Sequence, residues 1–148
     1  MTWAYAEYKA GVREVAGPSA NPRIIAYFRA CGTTWIRDDE TPWCAAGVGA
    51  GLVESGISVP LLPLRARSYL GWGVALDKRF PAFGAVAVLS RGTGAQPGPE
   101  VLDAPGHVGL VVAIWPGEIV LLGGNQGDAW SIKAYSTGSL LGLRWPKG

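Results

Sequence analysis

The chain contains two cysteines and one histidine, and one of the cysteines, Cys44, occupies a position suited to a nucleophile. Thr41 is a good N-cap and Pro42 fits the first helical position, so the sequence predicts a helix that includes Cys44 and ends at Gly56. The unpaired N–H groups of a first helical turn stabilise a thiolate. Cysteine is more often a small buried hydrophobic residue than a catalyst, so both interpretations of Cys44 stay open at this point.

His107 is the only histidine, and it begins a predicted strand of residues 107–114. Alternation with a period of two places Val108 and Leu110 on the core face, and His107 and Gly109 on the opposite face. Because Gly109 has no side chain, we expect space beside His107 for a helix N-terminus or a substrate backbone. A lone histidine is usually structural, but the glycines that flank this one favour a functional role.

The turn at residues 115–118 decides which residue of the next strand lies opposite His107. A two-residue loop would pair 115 with 118 and therefore His107 with Gln126. A three-residue loop would pair 114 with 118 and therefore His107 with Asn125. Tight hairpins favour primed turns, which Pro116 cannot adopt at the first central position, so the three-residue loop is preferred.

Asn125 in that register would complete a Cys-His-Asn triad. Its side chain would accept the imidazole N–H of His107, fix the tautomer and orient the other ring nitrogen toward Cys44. Gln126 is the alternative partner if the register differs. The segment 123–128 is also rich in turn-forming residues, and taken by itself it is better explained as a simple turn.

The elements that must position these residues change type along the chain. Helical patterns come first, at residues 3–12, 23–31, 42–55 and 65–72, and short strands follow at 85–89, 107–114, 118–122, 129–135 and 140–145. Helices followed by strands predict an α+β fold with an antiparallel sheet. The Gly- and Pro-rich segment 91–105 is predicted to be a surface loop that borders a groove.

Composition limits the class of protein. A chain of 148 residues, 49% hydrophobic, is expected to form one domain over residues 1–148. Thirteen Lys and Arg against eleven Asp and Glu give a net charge of +2, and these residues are scattered, which argues against nucleic acid as a partner. We find no signal peptide at the N-terminus and no apolar stretch of the ~20 residues that a membrane span needs, so membrane insertion is not expected.

An ordered series of motifs resembles the CHAP and NlpC-type cysteine peptidases, and more narrowly the small bacteriophage and prophage endolysin branch of this papain-like group. The series runs along almost the whole chain, at residues 41–46, 66–73, 84–88, 106–109, 123–128 and 143–146. The resemblance implies a papain-like fold, in which a catalytic helix packs on the C-terminal antiparallel sheet. It also implies hydrolysis of amide bonds in the peptidoglycan stem, as an endopeptidase or an N-acetylmuramoyl-L-alanine amidase.

The resemblance also implies roles for individual residues. Cys44 matches the nucleophile of the family and His107 its base, and Asn125 is retained as the third member, although many CHAP domains carry a Glu at the position of Gly123. Two tryptophans, Trp43 and Trp72, are expected near the groove, and with Gln126 they form the predicted substrate-binding set.

Further expectations concern cofactors, partners and location. Two cysteines without a signal sequence are interpreted as free thiols, and three Cys and His residues are too few for a structural zinc site. No cofactor is expected, with calcium bound by residues 38–40 as the alternative, since some CHAP relatives bind it just before the cysteine. We expect a monomer without a separate wall-binding domain. It would be made in the host bacterial cytoplasm and act on the cell wall after release. The alternatives are an inactive wall-binding or virion structural module and an antibacterial effector amidase of the same fold.

Overall fold

The computed structural model describes residues 1–148, and in it three α-helices precede a six-stranded sheet. The helices are α1 (Thr2–Lys9), α2 (Pro22–Ala30) and α3 (Cys44–Glu54), with short 3-10 helices at Ala66–Gly71 and Thr137–Ser139. The strands are β1 (Val74–Leu76), β2 (Val86–Ser90), β3 (Gly106–Trp115), β4 (Glu118–Gly123), β5 (Ser131–Ser136) and β6 (Leu140–Trp145). The predicted α+β class with an antiparallel sheet is confirmed. No helix has the length and apolar character needed to cross a bilayer.

The starts of α2 and α3 differ in how they are capped. Asn21 caps α2 as its sequence suggests, because its side chain accepts a hydrogen bond from the Arg23 N–H. By contrast, α3 begins at Cys44 with Trp43 at the N-cap position and no side-chain cap. The predicted N-cap, Thr41, instead donates its N–H and its hydroxyl to the Asp38 carboxylate. The prediction of Thr41 as the N-cap was therefore wrong. Because no side chain caps α3, the N–H groups of its first turn have no side-chain partner.

The sheet has the order β1-β6-β2-β3-β4-β5, and every pairing is antiparallel. The helices pack on one face, where a large apolar cluster joins α3 to Val88, Val108 and Leu110. The opposite face carries a second buried cluster, and its members include Ala87, Leu89, Val111, Ile119, Leu121 and Leu143. No helix contributes to this second cluster, so side chains of the strands and of neighbouring loops fill that face themselves. The edge strand β1 is only three residues long and was not predicted.

The hairpin between β3 and β4 differs from its prediction. Trp115 pairs with Glu118, so Pro116 and Gly117 form a two-residue loop, with Gly117 in the left-handed region (φ +80°). Proline followed by a left-handed glycine fits a type II turn, which outweighs the usual preference for primed turns. The register then shifts between Val111 and Ala113, because Val112 is an extra residue in β3. Beyond this bulge the pairing is Leu110 with Leu122.

Three glycines on α3 make room for side chains. A Cβ at Gly47 would lie 2.9 Å from the Trp130 ring, and one at Gly51 would lie 2.9 Å from the Trp3 ring. A Cβ at Gly49 would lie 2.5 Å from Cys31 Sγ. The space that these glycines leave is taken by two aromatic rings and a thiol. Glycine destabilises a helix relative to alanine, but at these positions it allows α3 to pack closely against the two rings and the thiol.

Candidate active site

Cys44 is the first residue of α3, and its side chain lines a cleft of about 400 Å³ while only 5% of its surface is exposed. The N–H groups of Val108, of Ala45 and of Cys44 itself face the thiol. Burial raises the pKa of the Cys44 thiol above its usual value, and these N–H groups and the charge of Arg91 only partly oppose that rise. The thiol is therefore protonated at neutral pH and needs a base before it can act as a nucleophile.

His107 lies near the start of β3, where its Nε2 is 2.9 Å from Oε1 of Gln126. The orientation of that amide is fixed, because Nε2 of Gln126 donates to the Ser131 carbonyl at 2.7 Å and to the Leu121 carbonyl at 3.3 Å. The oxygen of the amide must then face the histidine, and an oxygen can only accept. His107 Nε2 therefore carries the proton, and Nδ1 is left with a lone pair that can accept one.

Tyr135 is a third side chain at this site, and no sequence pattern indicated it. Its hydroxyl donates to Oε1 of Gln126 at 3.1 Å, and its ring centroid lies 5.3 Å from that of His107. Lys133 places its ammonium 5.3 Å from the centre of the tyrosine ring. Alternation in β5 puts Tyr135 on the same face as His107, but this is visible only once the register of β4 and β5 is known.

The environment of His107 favours its neutral form. Burial lowers the pKa of His107, the hydrogen bond with Gln126 opposes this, and the charges of Arg91 and Lys133 lower the pKa further. A neutral imidazole with a free Nδ1 is the form that can accept a thiol proton. The resting site therefore contains a neutral thiol and a neutral imidazole.

Cys44 and His107 approach the same end of β3 from opposite sides. The helix α3 packs on the face of Val108, whereas His107 lies opposite Leu89, on the face of the second cluster. No hydrogen bond joins the Cys44 thiol to the His107 ring. The expected space beside Gly109 is filled by Leu121, whose Cβ would lie 3.2 Å from an added methyl group, so neither a helix N-terminus nor a substrate backbone has room there.

Asn125 does not occupy the predicted place beside His107. The bulge in β3 restores the register that would carry position 107 opposite position 125, but β4 ends at Gly123 and the chain turns away. Asn125 has a φ of +56° in that turn, and its side chain makes no hydrogen bond. The buried side chain of Gln126 reaches His107 instead. The predicted partner is therefore corrected from Asn125 to Gln126, and the predicted contact of Gln126 with substrate is replaced by contacts within the protein.

The two tryptophans predicted to bind substrate are core residues. Trp43 is fully buried, donates its indole N–H to Glu14 at 2.9 Å, and packs against Tyr27 and Trp130. Trp72 is also buried and donates its indole N–H to the Ser58 carbonyl. The Trp43 ring has no exposed surface and Trp72 is only 6% exposed, so neither presents an open ring face on which a glycan could stack. Trp43 instead holds the start of α3 in place.

Charged side chains line the rest of the Cys44 cleft. Arg65, Arg91 and Asp103 contribute to its wall, and Arg91 directly follows the last residue of β2. Its charge acts on both Cys44 and His107, because it lowers the pKa of each. Neither the sequence motifs nor the triad argument singled out Arg91. The only available signal was its position at the start of the loop predicted to border a groove.

The 91–105 loop is held in place by Arg67, which is fully buried. The guanidinium donates to the backbone carbonyls of Pro97, Gly98, Val101 and Pro105 at distances from 2.8 to 3.2 Å. Four acceptors on one loop around one side chain fix that loop against the 3-10 helix Ala66–Gly71. One wall of the cleft is thereby made rigid.

The acidic residues before Cys44 serve the backbone. Asp39 is buried, and one carboxylate oxygen accepts hydrogen bonds from the N–H groups of Val15 and Asn21, both at 2.8 Å. Asp38 binds Thr41, as described above. No group of three or more His, Cys, Asp or Glu side chains is arranged to hold a metal ion, and both Cys31 and Cys44 are free thiols.

No family model, curated protein or solved structure matches the chain. The likeness to the CHAP and NlpC-type peptidases therefore stays an interpretation of the motifs. What the protein can do has to be argued from the chemistry of its own site, because a fold alone does not imply a function.

Proposed function

We propose that the protein is a cysteine hydrolase that cleaves amide bonds of the peptidoglycan stem, with Cys44 as nucleophile and His107 as general base. The observation that carries this proposal is the fixed tautomer of His107. Gln126 holds the proton on Nε2, which leaves Nδ1 free to accept one at the end of β3 where the Cys44 thiol also lies.

The chemistry follows from these groups. Nδ1 of His107 removes the thiol proton as Sγ of Cys44 attacks the substrate carbonyl, and the carbonyl oxygen becomes an oxyanion. The free N–H groups in the first turn of α3 stabilise that charge, a contribution of about 3 kcal/mol per donor in comparable enzymes. The imidazolium then gives its proton to the leaving amine, and water, activated by His107, hydrolyses the thioester.

The separation of thiol and imidazole in the free protein is compatible with this role. Catalytic hydrogen bonds are often long or poorly aligned before substrate binds and tighten in the complex. The cleft that Cys44 lines gives a substrate access to the thiol from the side of Arg91 and Gly106. We therefore propose that substrate binding brings Sγ and Nδ1 into contact.

The choice of peptidoglycan as substrate is supported by the motif series, and the papain-like arrangement by a helix that starts at the cysteine and packs on an antiparallel sheet. On this proposal the protein acts on the cell wall as a monomer. Hydrolysis of this kind needs no metal or organic cofactor.

Digestion of purified peptidoglycan tests the proposal. Wild-type protein should release fragments with a new amine and a new carboxylate, and mass spectrometry of these products identifies the bond that is cut. Cys44→Ala and His107→Ala should release none, whereas Cys31→Ala, the matched control at the second thiol, should retain activity. If wild type and Cys44→Ala give the same fragments, or if neither gives any, the proposal fails, and an inactive wall module or an effector with another substrate takes its place.

A further inference from the structure

The cleft beside Cys44 has an unusual charge distribution for so small a space. Its charged lining consists of two arginines, Arg65 and Arg91, and one carboxylate, Asp103. All three are exposed, and none forms a salt bridge or a side-chain hydrogen bond. The two ion pairs of the protein involve other residues, Glu7 with Arg23 and Asp77 with Arg79. The lining therefore carries a net positive charge with two guanidinium groups free to bind.

Arg91 is held close to the reacting groups by the backbone. Ser90 at the end of β2 pairs with Gly106 at the start of β3, so the next residue, Arg91, emerges at the end of the sheet where His107 and Cys44 lie. The loop that follows is fixed by Arg67, and its last residues form part of the same cleft wall. The guanidinium can thus reach a group bound next to the thiol.

We infer that Arg91, with Arg65, forms an anion-binding subsite that selects substrates bearing a free carboxylate close to the carbonyl that Cys44 attacks. This inference rests on the proposed function for its substrate class. The planar N–H donors of a guanidinium match the two oxygens of a carboxylate, and the opposite charges attract. A neutral carboxamide has only one oxygen acceptor and no negative charge, so it binds a guanidinium more weakly. Arg91 is thereby a specificity-determining residue for a substrate with an acidic group beside the scissile bond.

Two alkylating reagents test the subsite without any substrate. Iodoacetate and iodoacetamide both form an S–C bond with loss of iodide, and they differ only in carrying a carboxylate or a carboxamide. We expect the rate ratio of iodoacetate to iodoacetamide at Cys44 to fall about three- to fivefold in Arg91→Gln, the size of one exposed charge pair. A general effect on the thiolate would change both rates equally and leave the ratio unaltered.

Internal controls make this measurement specific. Peptide mapping by mass spectrometry follows Cys31 in the same sample, and the ratio there should not change. Arg79→Gln removes an exposed arginine outside the cleft and should leave the ratio at Cys44 as in wild type, while Arg91→Lys should restore most of it. An unchanged ratio at Cys44 in folded Arg91→Gln and in the Arg65→Gln/Arg91→Gln double variant overturns the inference.

A pair of stem peptides, alike except for a carboxylate or a carboxamide on a residue beside the scissile bond, extends the test to turnover. Wild type should prefer the carboxylate in kcat/KM, and Arg91→Gln should bring the ratio of the two kcat/KM values close to one, whatever it does to the two rates themselves. Turnover that depends on Cys44 but shows no such preference overturns the inference and leaves the proposed function standing. An alkylation ratio that responds to Arg91, in a protein that cuts no stem peptide, supports the anion subsite and contradicts the proposed function.

Discussion

Oε1 of Gln126 lies 2.9 Å from Nε2 of His107, and the same oxygen accepts the Tyr135 hydroxyl at 3.1 Å. The amide nitrogen is occupied by backbone carbonyls, so this side chain can serve the histidine in only one way. The position of the Gln126 side chain depends on the turn after β4. In that turn the backbone N–H of Glu14 donates to the Asp128 carbonyl, and the backbone N–H of Trp130 donates to the Val12 carbonyl. The N-terminal segment thus holds the loop that orients the base.

Replacement of Gln126 by Ala should lower kcat by about 10- to 100-fold, because the tautomer of His107 is no longer fixed. The hydrogen bond with Gln126 raises the pKa of His107, so its loss should also move the acid limb of the kcat/KM profile to lower pH. Gln126→Glu, which places a carboxylate beside the ring, should move that limb to higher pH. Asn125→Gly is the matched control and should change kcat less than twofold, whereas an equal loss in both variants contradicts the role of Gln126.

The protonation states of Cys44 and His107 predict how activity depends on pH. Burial raises the pKa of the thiol and lowers the pKa of the imidazole below its usual 6.5, so both groups are neutral between the two values. The imidazolium of His107 loses its proton at a lower pH than that of a free histidine. We therefore expect kcat/KM to rise with pH, with a midpoint below 6.5. Without substrate, alkylation of Cys44 by iodoacetamide should be slow at pH 7 and rise only in the alkaline range. Rapid alkylation at pH 5 would indicate a preformed thiolate and contradict this assignment.

Trp43 should contribute to stability and not to recognition of a glycan. It is fully buried and hydrogen-bonded to Glu14, so Trp43→Ala should lower the free energy of unfolding by about 3–5 kcal/mol. Trp115 is 61% exposed, and Trp115→Ala should change the free energy of unfolding by less than about 0.5 kcal/mol. Urea unfolding followed by circular dichroism measures both. Equal stability of the two variants, with selective loss of peptidoglycan binding in Trp43→Ala, would restore the original interpretation of Trp43 as a binding residue.

Arg67 should control the order of the 91–105 loop. Arg67→Met keeps the long side chain but removes every donor to the loop carbonyls, so limited proteolysis should cut within this loop at least tenfold faster than in wild type. Arg79→Met, on an exposed arginine elsewhere, should show the wild-type cleavage rate. If the loop in Arg67→Met resists protease as well as wild type does, it is held by other contacts.

The sequence by itself determined those features that depend on local patterns. The apolar periodicity, the Asn21-Pro22 cap and the breaks at Gly and Pro located the three helices and five of the six strands, since each signal acts within a few residues. The placement of Cys44 at a helix start and of His107 near a strand start followed in the same way. Strand β1 was missed because a three-residue edge strand is defined by its pairing with β6 and has no pattern of its own.

The tertiary structure alone decided which side chains meet. The turn after Gly123 replaced Asn125 by Gln126 beside His107, because β4 ends before the position that the register of β3 and β4 would place opposite His107. The burial of Trp43 depends on Tyr27, Glu14 and Trp130, which lie far from it in sequence. Arg91 likewise reaches the Cys44 cleft only because β2 and β3 end together. Contacts between distant segments are set by register and packing, which a pattern within one segment cannot specify.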